Sequence, residues 1–104
     1  MKVLIAEDDR VTGELLDRTL RRWKYDTTLV ANGEDAWTHL AASSAPTLAI
    51  LDWMMPGVDG LELCRRIKRE ASLAKTHVIL LPAKNDQQDV GSALIRAHES
   101  ANRR

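Results

Sequence analysis

Three short apolar runs and a fourth short strand candidate, each followed by a stretch with helical period, limit what this chain can fold into. Lys2–Ala6 holds Val3, Leu4 and Ile5 in a row, Thr47–Leu51 reads Thr-Leu-Ala-Ile-Leu and ends at Asp52, and His77–Leu81 reads His-Val-Ile-Leu-Leu. Contiguous apolar residues with β-branched members predict strands buried on both faces. Asp26–Val30 is the remaining strand, second in chain order. Between them, Val11, Leu15, Leu16, Leu20 and Trp23 form one helical stripe, with Asp9 placed to cap its start. Ala36, Trp37, Leu40 and Ala41 form a second stripe, and Leu61, Cys64 and Ile67 begin a third that ends near Glu70 or Ala71. Asn32-Gly33 reads as a turn, and Pro56 to Gly60 as a loop. Asp86 can cap a fourth helix carrying Val90, Ala93, Leu94 and Ala97. The order β-α-β-α-β-α-β-α predicts right-handed crossovers and a doubly wound α/β fold: a parallel sheet between two helix layers.

With 104 residues and 11.6 kDa, the chain has material for one such domain, expected to span residues 1–104. A hydrophobic content of 44% with 29% charged residues excludes disorder by composition. Fifteen bases balance fifteen acids, so no net charge draws the chain to nucleic acid or to an anionic membrane. Apolar runs of about five residues fall short of the roughly 20 that cross a bilayer, and the start is too short for a signal-peptide core. The single cysteine, Cys64, forms no internal disulfide, and a cytoplasmic chain is expected. The charge balance is not local: residues 1–60 hold ten acids and six bases, net −4, and residues 61–104 hold five acids and nine bases, net +4.

Three of the acids, Glu7, Asp8 and Asp9, directly follow the first strand, and Asp52 ends the third. In an open parallel sheet, ligands sit outside the carboxyl ends of the strands. If the first and third strands are neighbours, Glu7, Asp8 and Asp52 converge on one edge. Packed carboxylates raise one another's pKa unless a cation neutralises them. Oxygen-only donors select a hard ion, and Mg²⁺ fits best, because it takes few carboxylates and keeps several waters. Taken singly, Asp8 or Asp9 is a helix cap, Asp52 a solvated loop acid and Glu7 a surface residue. Their joint placement at two strand ends outweighs those separate readings.

The segments Val3-Leu-Ile-Ala-Glu7-Asp8-Asp9 and Leu51-Asp52-Trp53-Met54-Met55-Pro56-Gly57-Val58-Asp59-Gly60 resemble the receiver domain of two-component response regulators. The resemblance runs over residues 2–90 and leaves 91–104 divergent. It implies a flavodoxin-like sheet and a signalling domain rather than an enzyme. It also implies Asp52 as the phosphoacceptor, served by a histidine kinase or a phosphotransfer protein. By the same resemblance Asp8 is a direct Mg²⁺ ligand, Glu7 acts through water, and the main-chain carbonyl of Met54 completes the protein's share of the coordination. Asp59-Gly60 shapes the loop into the third helix. These residue types suit phosphoryl transfer, which needs mostly positioning and neutralised charge.

The chain departs from that family at its end. Receivers place a Thr or Ser after the fourth strand, and here Pro82 has neither hydroxyl nor N–H. The main-chain N–H of Ala83 can still reach a phosphoryl oxygen. The usual Lys-Pro pair is absent, and residues 91–104 contain neither a fifth strand nor a fifth helix, so the expected fold is incomplete. In the strand order 2-1-3-4-5 the fourth strand then becomes an apolar edge. The sheet face beside the first helix would be bare. A homodimer through His77–Leu81, or one that exchanges residues 86–104, is expected. Any output passes through a downstream protein effector, with no direct contact to nucleic acid or membrane. Two readings follow: a phosphoacceptor with impaired switching, and a receiver-shaped interaction module that no longer signals through phosphate.

Two enzyme readings compete. A haloacid-dehalogenase-like phosphatase needs a second Asp two residues after its nucleophile, where Met54 stands. An FMN-binding flavodoxin needs a Ser/Thr/Gly-rich loop after the first strand, where Glu7-Asp8-Asp9 would repel phosphate. Arg65-Arg66-Ile67-Lys68-Arg69 reads as a solvated helix face without the interleaved aromatics of a nucleic-acid patch. Cys64 reads as a small buried apolar residue. His39, His77 and His98 lack metal-ligand spacing. Trp23 and Trp37 read as core or half-exposed, and Trp53 as an edge of the acidic pocket.

Overall fold

A computed structural model describes residues 1–42 and 45–81, together with Ile95 and Glu99, which are helical and exposed. The elements are β1 (Lys2–Ala6), α1 (Arg10–Arg22), β2 (Asp26–Val30), α2 (Gly33–Leu40), β3 (Leu48–Asp52), α3 (Gly60–Arg69), a single 3-10 turn at Ala71–Leu73, and β4 (His77–Leu81). The strands form one parallel sheet in the order β2-β1-β3-β4. The chain leaves β1 toward β2, then crosses back over to β3, so the order reverses between β1 and β3. Asp52 is the last residue of β3, and Thr47 lies just before the strand. Apart from Ile95, the expected fourth helix falls outside the described residues, as do Pro82, Ala83 and nearly all of the tail.

Side chains alternate across the pleat, so β1, β3 and β4 each serve two cores. Val3, Ile5, Leu48, Ile50, Ile79 and Leu81 share one core cluster with Leu16 and Leu20 of α1. Leu4, Ala6, Ala49 and Leu51 face the other way, against Ala36 and Leu40 of α2 and Leu63 and Ile67 of α3. Ile5, Ile50 and Ile79 stand in register across three strands. Burial on both faces is what the contiguous apolar runs encode.

Three expectations are corrected. The buried stripe of α1 is Thr12, Leu16 and Leu20, with Gly13 beside it, whereas Val11 is 75% and Leu15 42% exposed. Residues 12, 16 and 20 fall on one line four apart, while Val11 and Leu15 sit one position, about 100°, off it. The sheet face beside α1 is also not bare at β4, where Ile79 is 3% and Leu81 1% exposed. Asn32-Gly33, read as a turn, is the N-cap and first residue of α2, with Asn32 Oδ1 accepting from the Asp35 N–H at 2.8 Å.

Candidate functional site

β1 and β3 are hydrogen-bonded neighbours with Ala6 opposite Leu51, so the residues that follow them lie side by side at the carboxyl edge of the sheet. Glu7 extends the β1 ladder by donating its N–H to the Val30 carbonyl at 3.0 Å. Its Oε2 accepts from the Asp9 N–H at 2.9 Å. Asp9 turns the chain into α1: its Oδ2 accepts from the Thr12 N–H at 2.9 Å, the N-cap bond its position predicted. Hydrogen bonds from the Thr12 hydroxyl and N–H hold the Asp9 carboxyl below its ordinary pKa. Asp8, between them, is exposed.

Glu7 and Asp52 are each 2% exposed. One carboxylate oxygen from each of Glu7, Asp8 and Asp52 lies within 4.8 Å of the others. Asp52 Oδ1 is buried without a hydrogen-bond partner among the described residues. Burial, helped by the hydrogen bond and charge of Asp52, pushes Glu7 up to about 8. Burial, then Asp8, also raises Asp52. An all-carboxylate donor set that includes a buried, unpartnered Asp52 oxygen atom on one member fits a small hard cation, which is the chemistry of Mg²⁺. Glu7 and Asp8 also line a cavity of about 330 Å³ floored by Gly13, Leu29 and Val30.

Beyond Asp52 the loop 53–59 leads to α3. Trp53 is 42% and Met54 62% exposed beside the cluster, whereas Met55 is buried in the α2–α3 core. The loop closes where the Gly60 N–H donates to the Trp53 carbonyl at 3.1 Å, and Asp59 Oδ1 caps α3 by accepting from the Glu62 N–H at 2.9 Å. A family model for the response regulator receiver domain matches residues 3–100.

The chain belongs to the response regulator receiver domain family.

Among relatives of this receiver domain, the transcriptional regulatory protein AfsQ1 of Streptomyces coelicolor is 41% identical over 88 residues, 85% of this chain but 37% of that protein. The chain thus spans little more than a third of the curated relatives it matches. A putative response regulator from Chloroflexus aurantiacus superposes with a TM-score of 0.82 at 23% identity, covering 98% of both chains. The Mn²⁺-bound form of response regulator Rcp1 superposes with a TM-score of 0.72 at 25% identity, over 93% of this chain and 75% of that one. Receiver domains are signalling domains of two-component systems, so neither enzyme reading stands.

The remaining features have the following contacts. Arg65 and Arg66 pair with Glu62 at 3.6 and 3.2 Å, and Arg66 lies 5.5 Å from the Trp37 ring centre. Cys64 is half-buried on α3, where burial pushes its thiol up. Among the described residues no helix is long and apolar enough to cross a membrane. Gly33, read from the sequence only as part of a turn, and Glu34, which sequence reasoning passed over, pack directly on the 53–59 loop. No sequence signal marks that contact beyond the glycine itself.

Proposed function

We propose that this receiver domain, acting as one unit over residues 1–104, takes a phosphoryl group onto Asp52 from a histidine kinase or phosphotransfer protein. The observation that carries the reading is buried Asp52, grouped with Glu7 and Asp8 and holding an Oδ1 without a hydrogen-bond partner among the described residues. Asp8, Asp52 and the Met54 carbonyl would hold Mg²⁺, with Glu7 acting through water. The metal, when bound, would neutralise charge between the attacking carboxylate and the phosphoryl oxygens. The Mn²⁺-bound relative is in keeping with such a site.

Asp52 sits at the end of a strand buried on both faces, so its carboxylate is held still and kept from bulk water. That placement suits a transfer governed by position. An Asp52 oxygen forms the new bond to phosphorus as the donor's bond to phosphorus breaks, and the leaving group departs with its electron pair. The Ala83 N–H then serves the phosphoryl oxygens. Pro82 supplies no hydroxyl to read the modified state, so switching is impaired. The chain works in the cytoplasm, forms a homodimer through β4 or exchanged residues 86–104, and passes its output to a downstream protein.

Acetyl phosphate with Mg²⁺, followed by intact mass, tests this. The wild-type chain should gain one phosphoryl group and Asp52→Asn none. An unchanged wild-type mass would leave the receiver-shaped interaction module, which Pro82 and the missing lysine favour.

A further inference from the structure

Resting on that reading of Asp52 and Met54, we propose that the first turn of α2 is a clamp on the 53–59 loop, with Gly33 as a positioning residue for the site. A Cβ on Gly33 would overlap the Val58 carbonyl oxygen and stand 2.5 Å from its carbonyl carbon and 2.7 Å from its Cβ. Contacts under 3.0 Å essentially never occur at real Cβ atoms. Helix and loop main chains therefore touch here with no side chain between them. One residue on, the Glu34 carboxylate fills the space over Gly57, which has φ +75°; a Cβ there would overlap both carboxylate oxygens. Two consecutive residues of α2 thus press on two consecutive residues of the loop.

The loop has little room to retreat. Met55 and Val58 are packed into the α2–α3 core. At its far end a Cβ on Gly60 would overlap the Asp52 carbonyl oxygen and stand 3.1 Å from its carbonyl carbon. A loop pinned at Asp52, Met55 and Gly60 passes a displacement forced on Val58 toward Trp53 and Met54, which flank the acids. Misplacement on the order of 1 Å, even far from the chemistry, can cost about a hundredfold in rate.

The test compares Gly33→Ala with Leu20→Ala, a core truncation on the other side of the sheet, at matched folded fraction. In the metal-free chain, NMR amide signals of residues 53–59 should move in Gly33→Ala and hold in Leu20→Ala. Mg²⁺ affinity and the rate of phosphorylation by acetyl phosphate should fall roughly tenfold or more in Gly33→Ala. Leu20→Ala should melt earlier yet keep both. Gly33→Ala matching wild type, or losing no more than Leu20→Ala, overturns the clamp. If Gly33→Ala does not fold, Glu34→Ala and Glu34→Gln decide. Loss of affinity in the first and retention in the second supports the clamp; no loss in the first, or equal loss in both, overturns it. A wild-type chain that neither binds Mg²⁺ nor gains a phosphoryl group fails the preceding reading instead, and the amide signals alone then judge the clamp.

Discussion

Glu7 and Asp52 are carboxyl groups that the fold places out of water and against each other, and that cost makes stability depend on pH and metal. Burial and the neighbouring Asp52 raise Glu7 from 4.5 to about 8, and Asp52 moves in the same direction. Between pH 4.5 and about 8 the folded chain keeps a proton that the unfolded chain has released. The unfolded state then binds fewer protons, so stability falls as pH rises through that window. Thermal melts in a chelator should decline across it and level off above it. Added Mg²⁺ favours the ionised forms, so its stabilisation should grow with pH. Flat melts with and without metal would contradict the site as described. Sequence reasoning found these acids because they follow apolar runs; it could not show that Glu7, rather than the exposed Asp8, is the buried one.

At the level of elements, helix ends account for much of the charge pattern. Glu34, Asp35 and Glu62 lie in first turns, while Arg21, Arg22, Arg66, Lys68 and Arg69 lie in last turns, each matching the helix dipole. The basic run of α3 is one such last turn. α1 ends in a Schellman motif: the Lys24 N–H donates to the Arg21 carbonyl at 2.9 Å and the Tyr25 N–H to the Leu20 carbonyl at 3.0 Å. Lys24 holds the left-handed position at φ 73°, where a glycine carries no Cβ penalty. Lys24→Gly should therefore stabilise the domain by about 1 kcal/mol, read as a melting temperature higher by a few degrees. Asn32→Ala removes the cap of α2 and should cost about 1 kcal/mol. A melting temperature equal to wild type would show that the bond to Asp35 contributes nothing.

For the whole molecule, β4 is an outer strand of the sheet among the described residues, and a parallel edge invites pairing. Light scattering over a micromolar dilution series should give twice 11.6 kDa. A mass of 11.6 kDa throughout would remove the dimer. A charge introduced at Ile79 or Leu81 would not test that interface, because both residues are buried in the core cluster. On adding beryllofluoride with Mg²⁺, NMR shifts should stay close to Asp52, because Pro82 supplies no hydroxyl contact to the phosphoryl mimic. Shift changes spread across the sheet and helices would contradict impaired switching.

The alternation of apolar runs and helical periods already determined a doubly wound sheet, and Asp9 and Asp59 announced their helices, because these features are local in sequence. Asp52 with Met54 to Gly60 likewise carried the family. The stripe of α1 escaped sequence reasoning because five apolar residues fit a helical period while only Leu16 and Leu20 among them meet the sheet. Burial of Glu7 depends on β1 lying between β2 and β3, a pairing between residues distant in sequence. The contact of Gly33 with Val58 has the same origin. A glycine before a helix reads as a turn until the fold brings another main chain against it, and close approach is decided only when the layers pack.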